Sequence, residues 1–335
     1  MTSLVIGGTG FLGGEIVRQL LERGKRVRVL CRKKPTADFV NGAEIFLGSI
    51  AGSVAEKEIL RKAFQDVETV YHTASLPSIS VHWKPFYETN IVGTQNVLDV
   101  CKETGVRKLI YTSSASVSFN CQPQINIDET LPYPKKFIAH YPRSKSAAEK
   151  LVLESSQSHS LLTCAIRPHL IIGKKDRHLL PRLFNRARTN RLFRVGGGTN
   201  VIDIIFVENA ALGHLLAAEA LTDKNSPVNG SVYFLSQGQP VNCWDWINEV
   251  LTMKGLPKVR RSISFSAAWR IGQCLETGYK LLRLQGEPVM TRFLAAQLAL
   301  PHYLNISKAR RDLGYEPLIS MDEGMKQLSE SMTDM

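Results

Sequence analysis

No stretch of eighteen apolar residues occurs in the sequence, so it offers no conventional membrane-spanning helix. Nor does it contain a Cys-x-x-Cys pair. Its six cysteines, Cys31, Cys101, Cys121, Cys164, Cys243 and Cys274, are scattered. That scatter argues against a zinc ribbon or a disulfide framework and fits reduced thiols in a cytoplasm. An apolar run begins at Leu4 and leaves no room for a signal peptide, so a cytoplasmic protein is expected. Carboxylates are in deficit, with 30 Asp and Glu against 42 Lys and Arg, and the formal net charge is +12. Such a bias favours anionic partners without choosing among phosphates, acyl carriers, nucleic acid and an anionic membrane surface. The densest cationic groups are only Arg32-Lys33-Lys34, Lys174-Lys175 and Arg310-Arg311. No helix-turn-helix, zinc-finger or RNA-binding aromatic motif accompanies them, so nucleic acid is not expected, nor is a metal. Internal repeats and low-complexity linkers are also missing. What remains is 335 residues of ordinary globular composition, enough for one large domain or two smaller ones.

The organising stretch runs from Leu4 to Arg32. Leu4-Val5-Ile6 reads as a strand, Gly7-Gly8-Thr9-Gly10-Phe11-Leu12-Gly13 as a glycine turn, Glu15 to Glu22 as a helix, and Val27 to Cys31 as a second strand. In that order the glycines become a dinucleotide-binding signal. Gly7 makes the tight turn, Gly10 lets backbone approach a pyrophosphate, and Gly13 lets helix and strand pack closely. Further strands are expected at Ile45-Phe46-Leu47, Thr69 to Thr73, Val106 to Ser113 and Leu161 to Ile166. Helices are expected at Ala55 to Phe64, Phe86 to Thr104 and Tyr141 to Ser156. The alternation predicts an α/β fold with a parallel, doubly wound sheet. A long loop, Ala115 to His140, interrupts it, and loops of that length are usually functional.

Beyond Arg167-Pro168 the pattern becomes mixed. Helices are expected at Leu179 to Thr189, Ala210 to Leu221, Trp244 to Met253 and Ala267 to Leu284. A hairpin or two short strands are expected at Phe193 to Val207, and one strand at Val232 to Leu235. The expected organisation is a cofactor-binding domain over 1–170 and a smaller mixed α/β substrate-binding region over 171–335. No flexible linker follows Pro168, so the two are expected to interweave.

A carboxylate at the end of the second strand normally meets the ribose 2′-hydroxyl of NAD. Here that end reads Cys31-Arg32-Lys33-Lys34. Arg32 and Lys33 are suited to charge-assisted bonds with a 2′-phosphate, and NADP(H) is therefore the expected cofactor.

Tyr141 and Lys145 lie four apart, on one face of a helix that begins after the long loop. Reduction of a carbonyl needs a proton donor, and a tyrosine with a free pKa near 10 is weak in that role unless a cation stabilises its phenolate. Lys145 supplies such a charge and a ribose contact. Ser114, at the carboxyl end of the fifth strand, is placed to hold the substrate oxygen.

These motifs resemble the extended short-chain dehydrogenase/reductase family: Gly7-x-x-Gly10-x-x-Gly13, His72-Thr73-Ala74, Asn90-x-x-Gly93-Thr94-x-Asn96, Tyr111-Thr112-Ser113-Ser114, Tyr141-x-x-x-Lys145 and Arg167-Pro168 leading to Gly173. The resemblance implies a Rossmann-like fold and a homodimer. It gives catalytic positions to Ser114, Tyr141 and Lys145, and places Asn90 near them. Cofactor contacts are implied at Gly7, Thr9, Gly10, Phe11, Leu12, Gly13, Ala74, Lys145 and Pro168, beside Arg32 and Lys33. There are two departures. Gly48-Ser49-Ile50 lacks an aspartate common after the third strand, and Lys174-Lys175 follow Gly173 where Pro-Gly is usual.

The second half resembles the 3β-hydroxysteroid dehydrogenase branch, through Asp176-Arg177-His178-Leu179-Leu180-Pro181, Phe193-Arg194-Val195-Gly196, Asn242-Cys243-Trp244-Asp245-Trp246 and Leu313-Gly314-Tyr315. Glu287-Pro288 and Thr291-Arg292-Phe293 resemble a bacterial subgroup acting on 2-alkyl-3-oxoalkanoates. Phe265, Trp269, Leu275, Tyr279, Leu281, Leu282, Phe293, Leu294 and Leu298 fit either a core-facing helix or the apolar wall of a lipid pocket. Arg292 suits either a substrate carboxylate or a salt bridge. The leading expectation is an NADP-dependent reductase/dehydrogenase of a 3-oxo or 3-hydroxy group on a hydrophobic substrate: a 2-alkyl-3-oxoalkanoate, a β-keto acyl compound or a steroid-like lipid. Peripheral membrane association stays open. The alternatives are a nucleotide-sugar epimerase or dehydratase, and a non-catalytic NADP(H)-binding protein.

Overall fold

The structure is a computed structural model that describes residues 1–35, 40–52, 54–157 and 161–333. The chain opens with β1 (Thr2–Ile6), α1 (Phe11–Glu22), β2 (Arg26–Cys31), β3 (Glu44–Leu47), α2 (Val54–Phe64) and β4 (Val67–His72). A helical turn, α3 (Lys84–Phe86), and a π-helical turn at Tyr87–Val92 lead into α4 (Gly93–Thr104) and β5 (Lys108–Thr112). Next come a 3-10 turn at Ala115–Ser118, β6 (Gln124–Ile127), α5 (His140–Ser155) and β7 (Leu162–Pro168). The later elements are β8 (Leu170–Ile172), α6 (Leu179–Arg188), β9 (Arg194–Val195), β10 (Val201–Ile202), β11 (Ile204–Phe206), α7 (Val207–Ala220) and β12 (Ser231–Leu235). They end with β13 (Val241–Asn242), α8 (Cys243–Met253), β14 (Ser262–Ile263), α9 (Phe265–Leu281), α10 (Arg292–Ala299), β15 (His302–Leu304), α11 (Ser307–Leu313) and α12 (Met321–Thr333).

Seven parallel strands form one sheet in the order β3-β2-β1-β4-β5-β7-β12. The order reverses between β1 and β4, and a crevice opens there beyond the carboxyl ends of the strands, where doubly wound sheets bind ligands. The central strands are continuous apolar runs because both faces are covered. On one face Ile16, Val17 and Leu20 of α1 pack with Ala211 and Leu215 of α7 and Leu313 of α11. On the other, Leu60 and Phe64 of α2 pack with Val97 and Cys101 of α4 and Val152 of α5. This is the doubly wound fold the alternation predicts. Its last strand, β12, pairs with β7 from Ser231↔Cys164 to Leu235↔Pro168.

Three details differ from expectation. The segment between Ala115 and His140 is not all loop: β6 pairs with β15, far along the chain. No hairpin forms at 193–207; β9, β10 and β11 join three different small sheets. The expected helix from Phe86 is not uniform either. Its first turns are π-helical over Tyr87–Val92, a bulge frequent at functional sites.

Candidate active site

The glycine turn is dictated by lack of space. Gly7 has φ +83°, and a Cβ there would lie 3.0 Å from the Ala74 amide nitrogen. A Cβ on Gly13 would fall 2.2 Å from the Gly7 carbonyl oxygen, closer than real carbon atoms come. Helix α1 thus starts directly against the ends of β1 and β4, with Ala74 alongside. The Thr73 hydroxyl ties the two strand ends by donating to Ile6 O at 2.8 Å. Leu12 is buried in the core, so only its backbone is available to a ligand. Thr9, Gly10 and Phe11 line a cavity of about 190 Å³ together with the cations Arg18, Lys174, Lys175 and Arg177 and the carboxylates Glu15 and Glu208. The Lys174-Lys175 departure therefore places cations opposite the amino end of α1, where backbone amides already favour phosphate. This turn, which leaves no room for a side chain at Gly7 or Gly13 and has cations nearby, fits the phosphates of a dinucleotide.

Tyr141 lies in the first turn of α5, and Lys145 lies one turn on. The structure brings Tyr141 and Ser114 together: burial raises the tyrosine pKa to about 12, and a hydrogen bond with Ser114 opposes that rise in part. Lys145 is 1% exposed. Its ammonium donates to Thr112 O at 2.5 Å and lies 4.2 Å from the centre of the Tyr111 ring. Burial pulls its pKa down to about 7, and the nearby Glu149 charge pushes it back up. In this structure burial, not the lysine charge, dominates the Tyr141 hydroxyl. Ser114 caps the 3-10 turn, its oxygen accepting from Ser116 N at 3.2 Å. Asn90, in the π-helical turn, accepts from Leu76 N at 2.8 Å and donates to the Ser144 hydroxyl at 2.8 Å. Ser144 in turn donates to Tyr141 O at 2.8 Å. Asn90 thus braces the turn that carries Tyr141.

Several neighbours escape a reading of the sequence. Glu149, a further four residues along α5, is fully buried and holds Arg167 through bonds of 2.9 and 2.5 Å. The Tyr133 hydroxyl donates to the same carboxylate at 2.5 Å. This buried pair fastens α5 to the end of β7, next to Pro168. Breaking a buried ion pair by removing one partner costs about 3–5 kcal/mol. Its only sequence signal is the Tyr141, Lys145, Glu149 spacing of four. His72 is also buried, at 3.0 Å from the Thr94 hydroxyl, and burial followed by the Lys145 charge lowers its pKa to about 3. It is a neutral packing group.

Phe119, Cys121, Phe293 and Ala296 form an apolar cluster with Ala139, Phe265, Trp269 and Leu300 packed on it. Phe119 meets Phe293 edge-on at 5.8 Å. Phe119 follows Ser114 closely and Ala139 precedes Tyr141 by two residues, so this cluster borders the polar pair. Arg292 is committed to Glu276 at 2.7 Å, which resolves its two readings in favour of the salt bridge.

A profile of the 3-beta hydroxysteroid dehydrogenase/isomerase family matches residues 4–266. The chain belongs to that family. It is 40% identical over 334 residues to a 2-alkyl-3-oxoalkanoate reductase of Stenotrophomonas maltophilia strain K279a, covering 99% of each chain. It is 35% identical to the decarboxylating sterol-4-alpha-carboxylate 3-dehydrogenase of Mus musculus, covering 98% of this chain and 90% of that protein. Family and relatives make the protein an oxidoreductase that interconverts keto and hydroxy groups on a hydrophobic substrate. Among the described residues no helix is long and apolar enough to cross a membrane. A UDP-glucuronic acid 4-epimerase from Bacillus cereus in complex with NAD shares the fold, with a TM-score of 0.75, 19% identity, and coverage of 100% of this chain and 99% of that one.

The NADP(H) expectation is corrected by such structures. Two full-length fold neighbours, this epimerase and a UDP-glucose 4-epimerase of Thermus thermophilus, are complexes with NAD. Arg32 and Lys33 are exposed at the end of β2. Cations already solvated there carry no requirement for a phosphate, and lack of a carboxylate is not the presence of a phosphate site.

Proposed function

We propose that this enzyme is an NAD(H)-dependent reductase of 2-alkyl-3-oxoalkanoates or closely similar 3-oxo lipids. The observation that carries the reading is the aromatic cluster of Phe119, Trp269 and Phe293 beside the Ser114–Tyr141 pair. The relatives named above act on substrates of this chemistry by their names. Residues before 170 hold the cofactor and those after it supply most of the substrate wall. The glycine turn at Gly7, Gly10 and Gly13, with Thr9, Phe11, the Leu12 backbone, Ala74 and Pro168, holds the dinucleotide. Lys174 and Lys175, just beyond that division, would meet its phosphates.

Bound NADH supplies the hydride. Ser114 donates to the substrate carbonyl oxygen and fixes it at the Tyr141 hydroxyl. Tyr141, kept protonated by burial, gives its proton to that oxygen as negative charge develops. Lys145 offsets the phenolate charge left behind and would contact the ribose, while Thr112 O holds its ammonium in place. In the reverse direction the same groups remove the alcohol proton. The resemblance further supports a homodimer, which sedimentation analysis of the purified chain tests.

The deciding experiment follows NADH oxidation with a 2-alkyl-3-oxoalkanoate, a 3-ketosteroid and a UDP-sugar panel. Turnover of the first is expected. Turnover of a UDP-sugar with none of either lipid would overturn the reading.

A further inference from the structure

Strand β5 ends at Thr112, and two residues later the chain enters the 3-10 turn over Ala115–Ser118. Most polar groups of that turn are spent on the turn itself. Val117 N donates to Ser114 O at 3.1 Å, Phe119 N to Ser116 O at 3.1 Å, and the buried Ser118 hydroxyl to Ala115 O at 3.0 Å. Ala115 and Val117 are buried, whereas Ser114 and Ser116 are only half-buried. The Ser116 hydroxyl differs from its neighbours. Its oxygen lies 2.9 Å from the Ser114 hydroxyl oxygen, and among the described residues it has no other hydrogen-bond partner.

Counting protons and lone pairs fixes the direction of that bond. A serine hydroxyl has one proton to give and two lone pairs to receive with. Ser116 N already occupies one lone pair of Ser114 Oγ, at 3.2 Å. A ketone oxygen only accepts, so holding it requires the one Ser114 proton. Were that proton given to Ser116, none would remain for the substrate. With Ser116 as the donor, both lone pairs of Ser114 Oγ are filled. Its proton then has only the Tyr141 side to turn to, where Ser114 and Tyr141 already share a hydrogen bond.

We infer that Ser116 is a positioning residue for carbonyl reduction: its hydroxyl donates to Ser114 Oγ and so commits the Ser114 proton to the substrate's ketone oxygen. The inference rests on the reductase reading above and deepens it. The backbone bond from Ser116 N is an ordinary turn cap that any residue but proline keeps, whereas the second bond needs a hydroxyl at position 116. Hydrogen bonds in a chain polarise one another, so a Ser114 hydroxyl that receives from Ser116 is itself a stronger donor. That gain grows as negative charge develops on the ketone oxygen, and it therefore falls on kcat rather than on KM.

The test is a double-mutant cycle on NADH-dependent reduction of a short, water-soluble 2-alkyl-3-oxoalkanoate by the full chain. Ser116→Ala should lower kcat about three- to tenfold, the worth of one neutral hydrogen bond, and leave KM within about twofold of wild type. Ser116→Thr restores the hydroxyl, and its kcat should return to within about twofold of wild type. In a Ser114→Ala background, Ser116→Ala should cost nothing further, because no hydroxyl is left to orient. Wild-type kcat in Ser116→Ala overturns the inference, as does a Ser116→Thr no faster than Ser116→Ala. A loss that persists undiminished in the Ser114→Ala background also overturns it, since Ser116 would then meet the substrate itself. The substrate reading fails separately, if wild type reduces a 3-ketosteroid and not the oxoalkanoate; the same cycle run on the steroid then decides the role of Ser116.

Discussion

In the large sheet every neighbour is parallel and the central strands are five to seven residues long and largely buried. The three small sheets use strands of two to four residues drawn from segments as distant as Gln124 and Leu304. The two regions divide the work accordingly. Ser114, Tyr141, Lys145 and the glycine turn sit at the carboxyl ends of long strands or on helices packed against them, where a side chain is held rigidly. The apolar cluster beside them comes from the segment after Ser114 and from α9 and α10. On the proposed reading the reaction belongs to the first region, and the choice of substrate to the second.

That division is broken most severely at Tyr141. Tyr141→Phe keeps the ring and removes the proton, so kcat should fall about 10²–10⁴-fold. NADH binding, read by fluorescence titration, should survive. Near-wild-type turnover would remove Tyr141 from the chemistry.

Glu149→Gln tests whether the ion pair behind Lys145 tunes it. Lys145 acts only while charged, and burial has already brought its pKa to about 7, so that charge is lost as pH rises through this region. Without the Glu149 charge the value falls further, and the alkaline fall in kcat/KM should move to lower pH. Because Arg167 loses its partner, stability should drop by about 3–5 kcal/mol in denaturant titration. An unmoved pH profile would make Glu149 purely structural.

Gly13→Ala probes the turn. Overpacking of this kind costs about 1–3 kcal/mol, and the displaced helix start should weaken NADH binding by roughly tenfold. Unchanged affinity would mean that close packing at Gly13 has no part in holding the cofactor. The smallest effect belongs to Arg32→Ala. An exposed cation changes free energies by about 0.5 kcal/mol or less, so the NADH dissociation constant should stay within about twofold. A large loss of NADPH affinity, with NADH unaffected, would restore a phosphate role for this residue.

The contrast between the regions also explains what is legible in the sequence. Buried parallel strands write themselves as apolar runs, so Leu4–Ile6, Thr69–Thr73 and the strand before Ser113 stand out without any tertiary knowledge. Tyr141 and Lys145 are visible through helical spacing. Glu149 has the same spacing, but a glutamate there reads as an ordinary solvated helix charge until Arg167 is seen opposite. Two-residue strands such as Val201–Ile202 have no periodicity to detect, and their partners are far along the chain. In the Phe265–Leu298 stretch, apolar spacing alone does not separate Phe293, buried in the aromatic cluster, from Leu282, which is exposed. The cofactor reading fails for a related reason: a pattern of charge near the end of β2 does not specify what meets it.

In the proposed reaction a Tyr–Lys–Ser proton-transfer group works beside the apolar cluster of Phe119 and Phe293. Its most direct test is kcat/KM for NADH-dependent reduction across a series of 2-alkyl-3-oxoalkanoates of increasing chain length, in wild type and Phe293→Ala. Each buried methylene contributes about 0.8 kcal/mol, so kcat/KM should climb about fourfold per carbon until that apolar surface is covered. The slope should be shallower in Phe293→Ala. A flat series in wild type, together with turnover of a UDP-sugar, would contradict that reaction.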